Sequence, residues 1–301
     1  MHVIILGAAA GGGVPQWNCG CVNCAAARRD GRGRTQSSVA VSADGARWVL
    51  LNASPDLRSQ LARHRALWPR GARGTPIEAV VLTDGEIDHT LGLLLLRESP
   101  ARLPVYAPTG VTALLGDEWP LYRVLAAYSG VDPRVLDEGR PVKLTDRAGA
   151  PLGLCCSATA VARRPPRYAS HAPAGAFDVG LRIEDERTGG VLAYVPTAGA
   201  VDDAVRRTAR DADLLLFDGT FWSDGELRSA GADAPTARDM GHLPVGEPGG
   251  SLELLPGLGA GRTVLVHINN TNPILTHGSP ERARVEGAGI VVGEDAMEFE
   301  L

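Results

Sequence analysis

Three cysteines within six residues, Cys19, Cys21 and Cys24, carry the densest chemistry in the chain. Thiolates this close together suit a metal ion better than disulfides. Zinc takes tetrahedral sulfur and nitrogen ligands, so three thiolates in one tight turn leave a fourth position to fill from elsewhere. Such a closed site would be structural; the alternative is three inert thiols. A second feature is the pair Asp88-His89, which follows the apolar run Val80-Val81-Leu82. Taken alone, the dipeptide also fits a helix N-cap aspartate beside a surface histidine. A third is His267, at the end of the apolar run Thr263-Val264-Leu265-Val266. Cys155 and Cys156 are neighbours in a strand-like run and should point to opposite faces.

These groups need elements to position them. Short, apolar, β-branched runs predict strands at residues 2–6, 38–41, 48–52, 79–83, 179–184, 190–195, 214–217, 263–268 and 290–292. Helical patterns cover 54–67, 88–98, 121–128, 201–210 and 251–258, the first with Ser54 as N-cap and Pro55 at its first position. Alternating strands and helices mean an α/β layered fold. Residues 162–175 and 223–250 read as long loops, the second as a candidate lid or binding loop. No sequence repeat or low-complexity linker is visible. Gly7 to Gly13 follow the first strand, but they match neither GxGxxG nor GxxxxGK[ST], and Pro15 stands where a helix would begin. This is a loop whose backbone passes close to something, not a phosphate loop.

The chain has 301 residues and a net charge of −5, which argues against a nucleic-acid surface. No apolar run reaches the ~20 residues of a membrane span. The N-terminal run lacks a basic flank and reads as a strand rather than a signal peptide. An odd number of cysteines, three of them clustered, points to a reducing compartment, so a cytoplasmic location is expected.

Residues 80–89 resemble the metal motif of the metallo-β-lactamase superfamily, H-x-H-x-D-H after a strand. Asp88 and His89 keep the second-site pair, while Thr83 and Gly85 stand where two first-site histidines belong. His267 sits where the superfamily keeps its last ligand histidine. Leu214 to Phe221 with His242 resemble the E-A-T-F … G-H-S-T region of the tRNase Z branch. The Cys cluster resembles that of the phosphodiesterase of the carbon–phosphorus lyase pathway. Segments along nearly the whole chain are similar to one family, protein B of pyrroloquinoline quinone (PQQ) biosynthesis. They include Gln16-Trp17-Asn18-Cys19-Gly20-Cys21, Arg34-Thr35-Gln36-Ser37-Ser38, Pro165-Pro166-Arg167-Tyr168 and His267-Ile268-Asn269-Asn270-Thr271-Asn272-Pro273.

The resemblance implies a single metallo-β-lactamase-like domain over residues 1–301. It is an αββα sandwich of two mixed sheets flanked by helices, with metal at the strand ends. It also exposes departures. Thr83 and Gly85 cannot replace imidazoles, the loop 162–171 offers no histidine in register, and Pro196 occupies the place of a bridging aspartate. A two-metal hydrolytic site is therefore not expected. Asp88, His89 and His267 remain, two imidazoles and one carboxylate, the ligand set of non-haem Fe(II) oxygenases, although zinc would bind the same groups.

The implied activity is Fe2+-dependent hydroxylation of the tyrosine ring in the cross-linked Glu–Tyr precursor of PQQ. The alternatives are a metallo-hydrolase acting on that precursor, and a non-catalytic carrier or transport-associated protein. His242 and Asp218 are expected beside the metal as catalytic or orienting groups. Arg167, Tyr168, His171, Gln36 and Ser37 are expected to bind substrate, and Arg163 and Arg164 to be surface residues. Asn270 would complete the structural zinc site, with His277 as an outside candidate. The expected partner is the small-molecule precursor; other pathway proteins and a homo-oligomer stay open.

Overall fold

The computed structural model describes residues 1–162, 165–169 and 175–301. Two seven-stranded sheets carry it. The first contains β1 (His2–Gly7), β2 (Ser38–Ser42), β3 (Trp48–Leu51), β4 (Ile77–Val81), β5 (Leu103–Pro108) and β6 (Val131–Leu136). The second contains β7 (Val142–Thr145), β8 (Pro151–Ala162), β9 (Asp178–Asp185), β10 (Val191–Val195), β11 (Leu214–Asp218), β12 (Thr263–Val266) and β13 (Ile290–Val292). The last strand, β14 (Glu298–Glu300), returns to the edge of the first sheet beside β1.

The strand order is β14-β1-β2-β3-β4-β5-β6 in one sheet and β13-β12-β11-β10-β9-β8-β7 in the other. Pairing is antiparallel from β14 to β3 and parallel from β3 to β6. It is likewise antiparallel from β7 to β10 and parallel from β10 to β13. The strand plan of the first sheet is thus repeated in the second, although the sequence shows no repeat. A strand buried on both faces asks only for apolar side chains, so two unlike sequences can satisfy one plan.

Alternation along the strands builds the layers. Val3, Ile5, Val49, Leu51 and Val81 face Leu181, Ile183, Tyr194, Leu216 and Val266 across the space between the sheets. Ile4, Leu6, Leu50, Val80 and Leu82 turn to the helices outside the first sheet, as Ala193, Val195, Leu215, Phe217 and Leu265 do outside the second. Cys156 lies in the inter-sheet core and Cys155 points the other way, partly exposed.

Several elements differ from expectation. The helix after β3 runs Leu57–Arg63 and a 3-10 turn, Arg65–Leu67, follows; the Ser54 hydroxyl donates to Gln60 Oε1 at 3.0 Å and accepts from Asp56 N–H at 3.3 Å, ahead of the helix. The helix expected over 88–98 is one turn, Ile87–Thr90, then a 3-10 stretch, Leu91–Leu96. Gly92 donates to Ala53 O at 2.9 Å and lies so near the chain that a Cβ would come 2.3 Å from Ser54 O. β5 and β6 carry Pro104, Pro108 and Pro133, and β8 is rich in small residues, among them Gly153, Ser157, Ala158 and Ala160, so their strand signal is weak. Among the described residues no helix is long and apolar enough to cross a membrane.

Candidate metal centres

Parallel strands of both sheets deliver their following residues to one end of the sandwich, where α/β folds hold ligands. The loop after β4 leads into the turn carrying Asp88 and His89. β12 ends at Val266, and His267 follows with φ of 54°, a left-handed conformation uncommon outside glycine. Asp88 Oδ2 lies 3.3 Å from His267 Nε2 and 3.7 Å from His89 Nε2. The ligand atoms of the three residues fall within 4.8 Å of one another. The Gly-rich loop crosses here: a Cβ on Gly11 would come 3.1 Å from Asp88 Oδ2, so only glycine lets that backbone approach.

His89 supplies the test of fit for a cation. Its Nδ1 lies 2.8 and 2.7 Å from the two oxygens of buried Asp84, while its Nε2 is buried with no hydrogen-bond partner. Leaving such an atom unpaired costs about 1–3 kcal/mol. A metal held by Nε2 removes that cost, and Asp84 fixes the tautomer that frees the Nε2 lone pair. Burial opposes a charge on His89, but Asp84 and Asp88 outweigh it and raise its pKa to about 10. Burial likewise opposes the charges on Asp84 and Asp88, and the neighbouring imidazoles hold both below the ordinary range.

A second node lies beside the first. Asp218, at the end of β11 and fully buried, holds His242 Nδ1 at 2.8 Å through Oδ2 and the Thr220 hydroxyl at 2.6 Å through Oδ1. The His242 and His267 rings stack 5.5 Å apart at 23°. Burial disfavours a charged His242, but Asp218 overrides it and raises the pKa. The stretch 223–250, read from the sequence as a candidate lid or binding loop, is tied down where it begins. Glu226 accepts from Trp222 N–H at 2.6 Å and from Thr271 Oγ1 at 2.5 Å, and Arg284 stacks on the Trp222 ring at 4.9 Å.

The two residues that stand in for the first-site histidines are tied into the protein interior. Thr83 Oγ1 bonds to Asn52 Oδ1 at 3.1 Å, and Asn52 Nδ2 reaches Tyr194 Oη at 3.4 Å. A Cβ on Gly85 would come 2.7 Å from Leu114 Cδ2, 3.3 Å from Tyr168 Oη and 3.4 Å from Pro166 Cγ.

The residues expected to bind substrate divide. Arg167 is exposed and acts electrostatically on Glu86. The Tyr168 hydroxyl donates to Gly85 O. Ser37 is corrected to an interior residue: it is fully buried and bonded to Tyr194 Oη at 3.1 Å. Gln36 braces the Gly-rich loop, bonding to Asp56 Oδ2 at 3.0 Å and accepting from Gly12 N–H at 2.9 Å. His171, Arg163 and Arg164 lie outside the described residues. Two carboxyl groups at the site escaped the sequence reading. Burial, then the other carboxylates, raise Asp178 to about 8 and Glu86, which keeps solvent contact, to about 7.

The cysteine trio is built differently from the tight turn expected. Cys21 precedes the helix Val22–Asp30, and Cys24 lies in its first turn. The three sulfurs fall within 4.8 Å of one another. The Asn270 side-chain amide caps them, with its terminal atom 3.0 Å from Cys19 Sγ, 3.6 Å from Cys21 Sγ and 3.3 Å from Cys24 Sγ. Amide nitrogen and oxygen exchange places by a simple flip, so the same position can present an oxygen to a cation. His277 stands elsewhere, exposed, 3.9 Å from Glu294. Asn23, between Cys21 and Cys24, binds the Asn270 and Asn272 carbonyls at 3.0 and 2.9 Å.

Two mixed sheets with Asp and His side chains grouped at their shared end define a protein of the metallo-β-lactamase fold, and residues 47–268 match the beta-lactamase superfamily domain. Within that class, the chain belongs to the coenzyme PQQ synthesis protein B family. It is 46% identical to the coenzyme PQQ synthesis protein B of Cupriavidus necator over 304 residues, covering 99% of this chain and 98% of that one. It is 45% identical to the protein of the same name from Methylococcus capsulatus over 311 residues, covering both chains fully, 100% of each. The crystal structure of Zn(2+)-bound PqqB from Methylobacterium extorquens superposes with a TM-score of 0.91 at 39% identity, covering 100% of both chains. A diphosphatase of the PhnP family shares the fold, with a TM-score of 0.69 at 24% identity and coverage of 100% and 96%.

Proposed function

We propose that this chain acts in PQQ biosynthesis as an Fe2+-dependent hydroxylase of the tyrosine ring in the Glu–Tyr-derived precursor. Asp88, His89 and His267 would hold the active-site metal, and Cys19, Cys21 and Cys24 with Asn270 a structural zinc. One observation carries the reading. The Asp88, His89 and His267 ligand atoms lie within 4.8 Å of one another and one of them, His89 Nε2, is buried without a partner, while Thr83 and Gly85, standing in for the first-site histidines, are bonded to Asn52 and packed against Leu114 and Tyr168. The zinc-bound relative supports metal binding by the family.

When bound, a redox-active metal in this ligand set supplies activation of O2 for ring oxidation. The chain's own residues do the rest. Asp84 orients His89, and Asp218 orients His242, whose Nδ1 it holds. Asp218, bonded to Nδ1, favours the charged form of His242 and so its use as a proton donor to a substrate oxygen. Arg167 on the rim can pair with a precursor carboxylate. Asp178, pushed up to about 8 by burial and the neighbouring carboxylates, can retain a proton and hydrogen-bond to a carboxylate instead of repelling it.

The test is anaerobic purification, loading with Fe(II), and reaction with a tyrosine-containing precursor under 18O-labelled O2. Label in the ring supports the hydroxylase. No label and no oxygen uptake, together with precursor cleavage by zinc-loaded protein, would sink it.

A further inference from the structure

Thr220 carries one hydroxyl proton and stands among three neighbours. Its Oγ1 lies 2.6 Å from Asp218 Oδ1, 2.9 Å from the His267 carbonyl oxygen and 2.8 Å from His267 Nδ1. The first two are acceptors only, one of them a buried carboxylate. Whichever takes the Thr220 proton, the hydroxyl can then only accept from the imidazole. His267 Nδ1 is then the donor to the hydroxyl, and Nε2 is left facing Asp88 Oδ2 at 3.3 Å, where a cation would take the place of the proton that this contact otherwise carries. The surroundings hold Thr220 in place. Its side chain is buried, its N–H donates to Asp218 Oδ1 at 3.0 Å, and its carbonyl accepts from Asn269 N–H at 3.0 Å. Gly219 permits the approach, since a Cβ there would come 2.8 Å from Leu265 Cβ.

We infer that Thr220 is a positioning residue: its hydroxyl relays Asp218 to His267, setting the tautomer that presents Nε2 to the active-site metal. One carboxylate then serves two imidazoles, His242 directly and His267 through Thr220. The inference rests on the reading that Asp88, His89 and His267 hold a metal, and not on hydroxylation. A side chain behind a ligand histidine is commonly worth about 10–100-fold in metal affinity.

The test compares the full-length wild-type chain with Thr220→Val, which keeps the shape without the hydroxyl, and Thr220→Ser, which keeps the hydroxyl. Zinc affinity at the active site is measured by chelator competition, and the zinc-loaded proteins are examined by NMR for the imidazole Nδ1–H proton of His267. The thiolate charge-transfer band of cobalt at the cysteine site serves as internal control. Thr220→Val should lose about 10–100-fold at the active site. It should also lose the exchange-protected Nδ1–H signal, with the cysteine-site band unchanged. Thr220→Ser should stay within a few-fold of wild type. Equal affinity and an intact signal in Thr220→Val overturn the relay, as does a Thr220→Ser variant as weak as Thr220→Val. A wild-type chain that takes up no active-site zinc overturns the relay and the metal reading together. Normal zinc behaviour without label incorporation removes the hydroxylase alone.

Discussion

Asp84 holds His89 through both carboxylate oxygens, 2.8 and 2.7 Å from Nδ1, with both side chains almost fully buried. Asp84→Asn can present a donor to Nδ1 and so favour the wrong tautomer. Active-site metal affinity should fall about 10–100-fold. Isothermal titration of the metal-free variant checks this; an unchanged affinity would show that His89 is positioned by packing alone.

His267→Ala should remove one equivalent of metal and leave the cysteine-bound equivalent in place. Elemental analysis after dialysis gives the count. Loss of both equivalents would mean that the sites are coupled through Asn270, which lies three residues beyond His267 and touches all three sulfurs.

The residues standing in for the first-site histidines are tied into the interior, so Thr83→His with Gly85→His should not gain a second active-site metal. Gly85→Ala alone already drives a methyl to within 2.7 Å of Leu114 Cδ2. It should cost about 1–3 kcal/mol, read as a lower midpoint in denaturant unfolding. A double variant that binds two active-site metals would revive the hydrolase.

Glu226 offers a pH dependence. Burial raises its pKa from the ordinary 4.5 to about 7, only partly offset by bonds from Thr271 and Trp222. The folded chain therefore holds a proton that the unfolded chain releases. The stabilisation is fully present below pH 4.5 and is lost as pH rises through about 7. Its full size is roughly 3 kcal/mol, from 1.36 kcal/mol per pKa unit. Glu226→Gln should flatten this part of the stability–pH curve between pH 5 and 8, followed by urea unfolding. Identical curves for wild type and variant would exclude the effect.

Much of this protein is written locally. The cysteine trio, the Asp88-His89 pair, the β-branched runs and the glycines before Pro15 are each a few adjacent residues whose chemistry does not depend on distant partners. Most strands fall where alternation and β-branching put them, and those that do not are the proline-bearing β5 and β6, the small-residue β8 and the short β7 and β14. Asp84 was within reach of a local reading, five residues before His89. Thr220 and Asp178 were not, because neither carries a signal until the sheets meet.

Tertiary structure alone decided the rest. The family resemblance grouped Asp88 with His267 and Asn270 with the cysteines, but how closely they meet is tertiary: Asp88 and His267 stand 179 positions apart and 3.3 Å from each other, and Asn270 reaches sulfurs some 250 positions away. Such distances are set by which strand ends the two sheets bring together, a property of pairing order and register that no stretch of chain contains. The same holds for Ser37, which the family resemblance places at the substrate and the packed sheets place in the interior. Residue types set what each group can do; the approach of two sheets set which of them do it together.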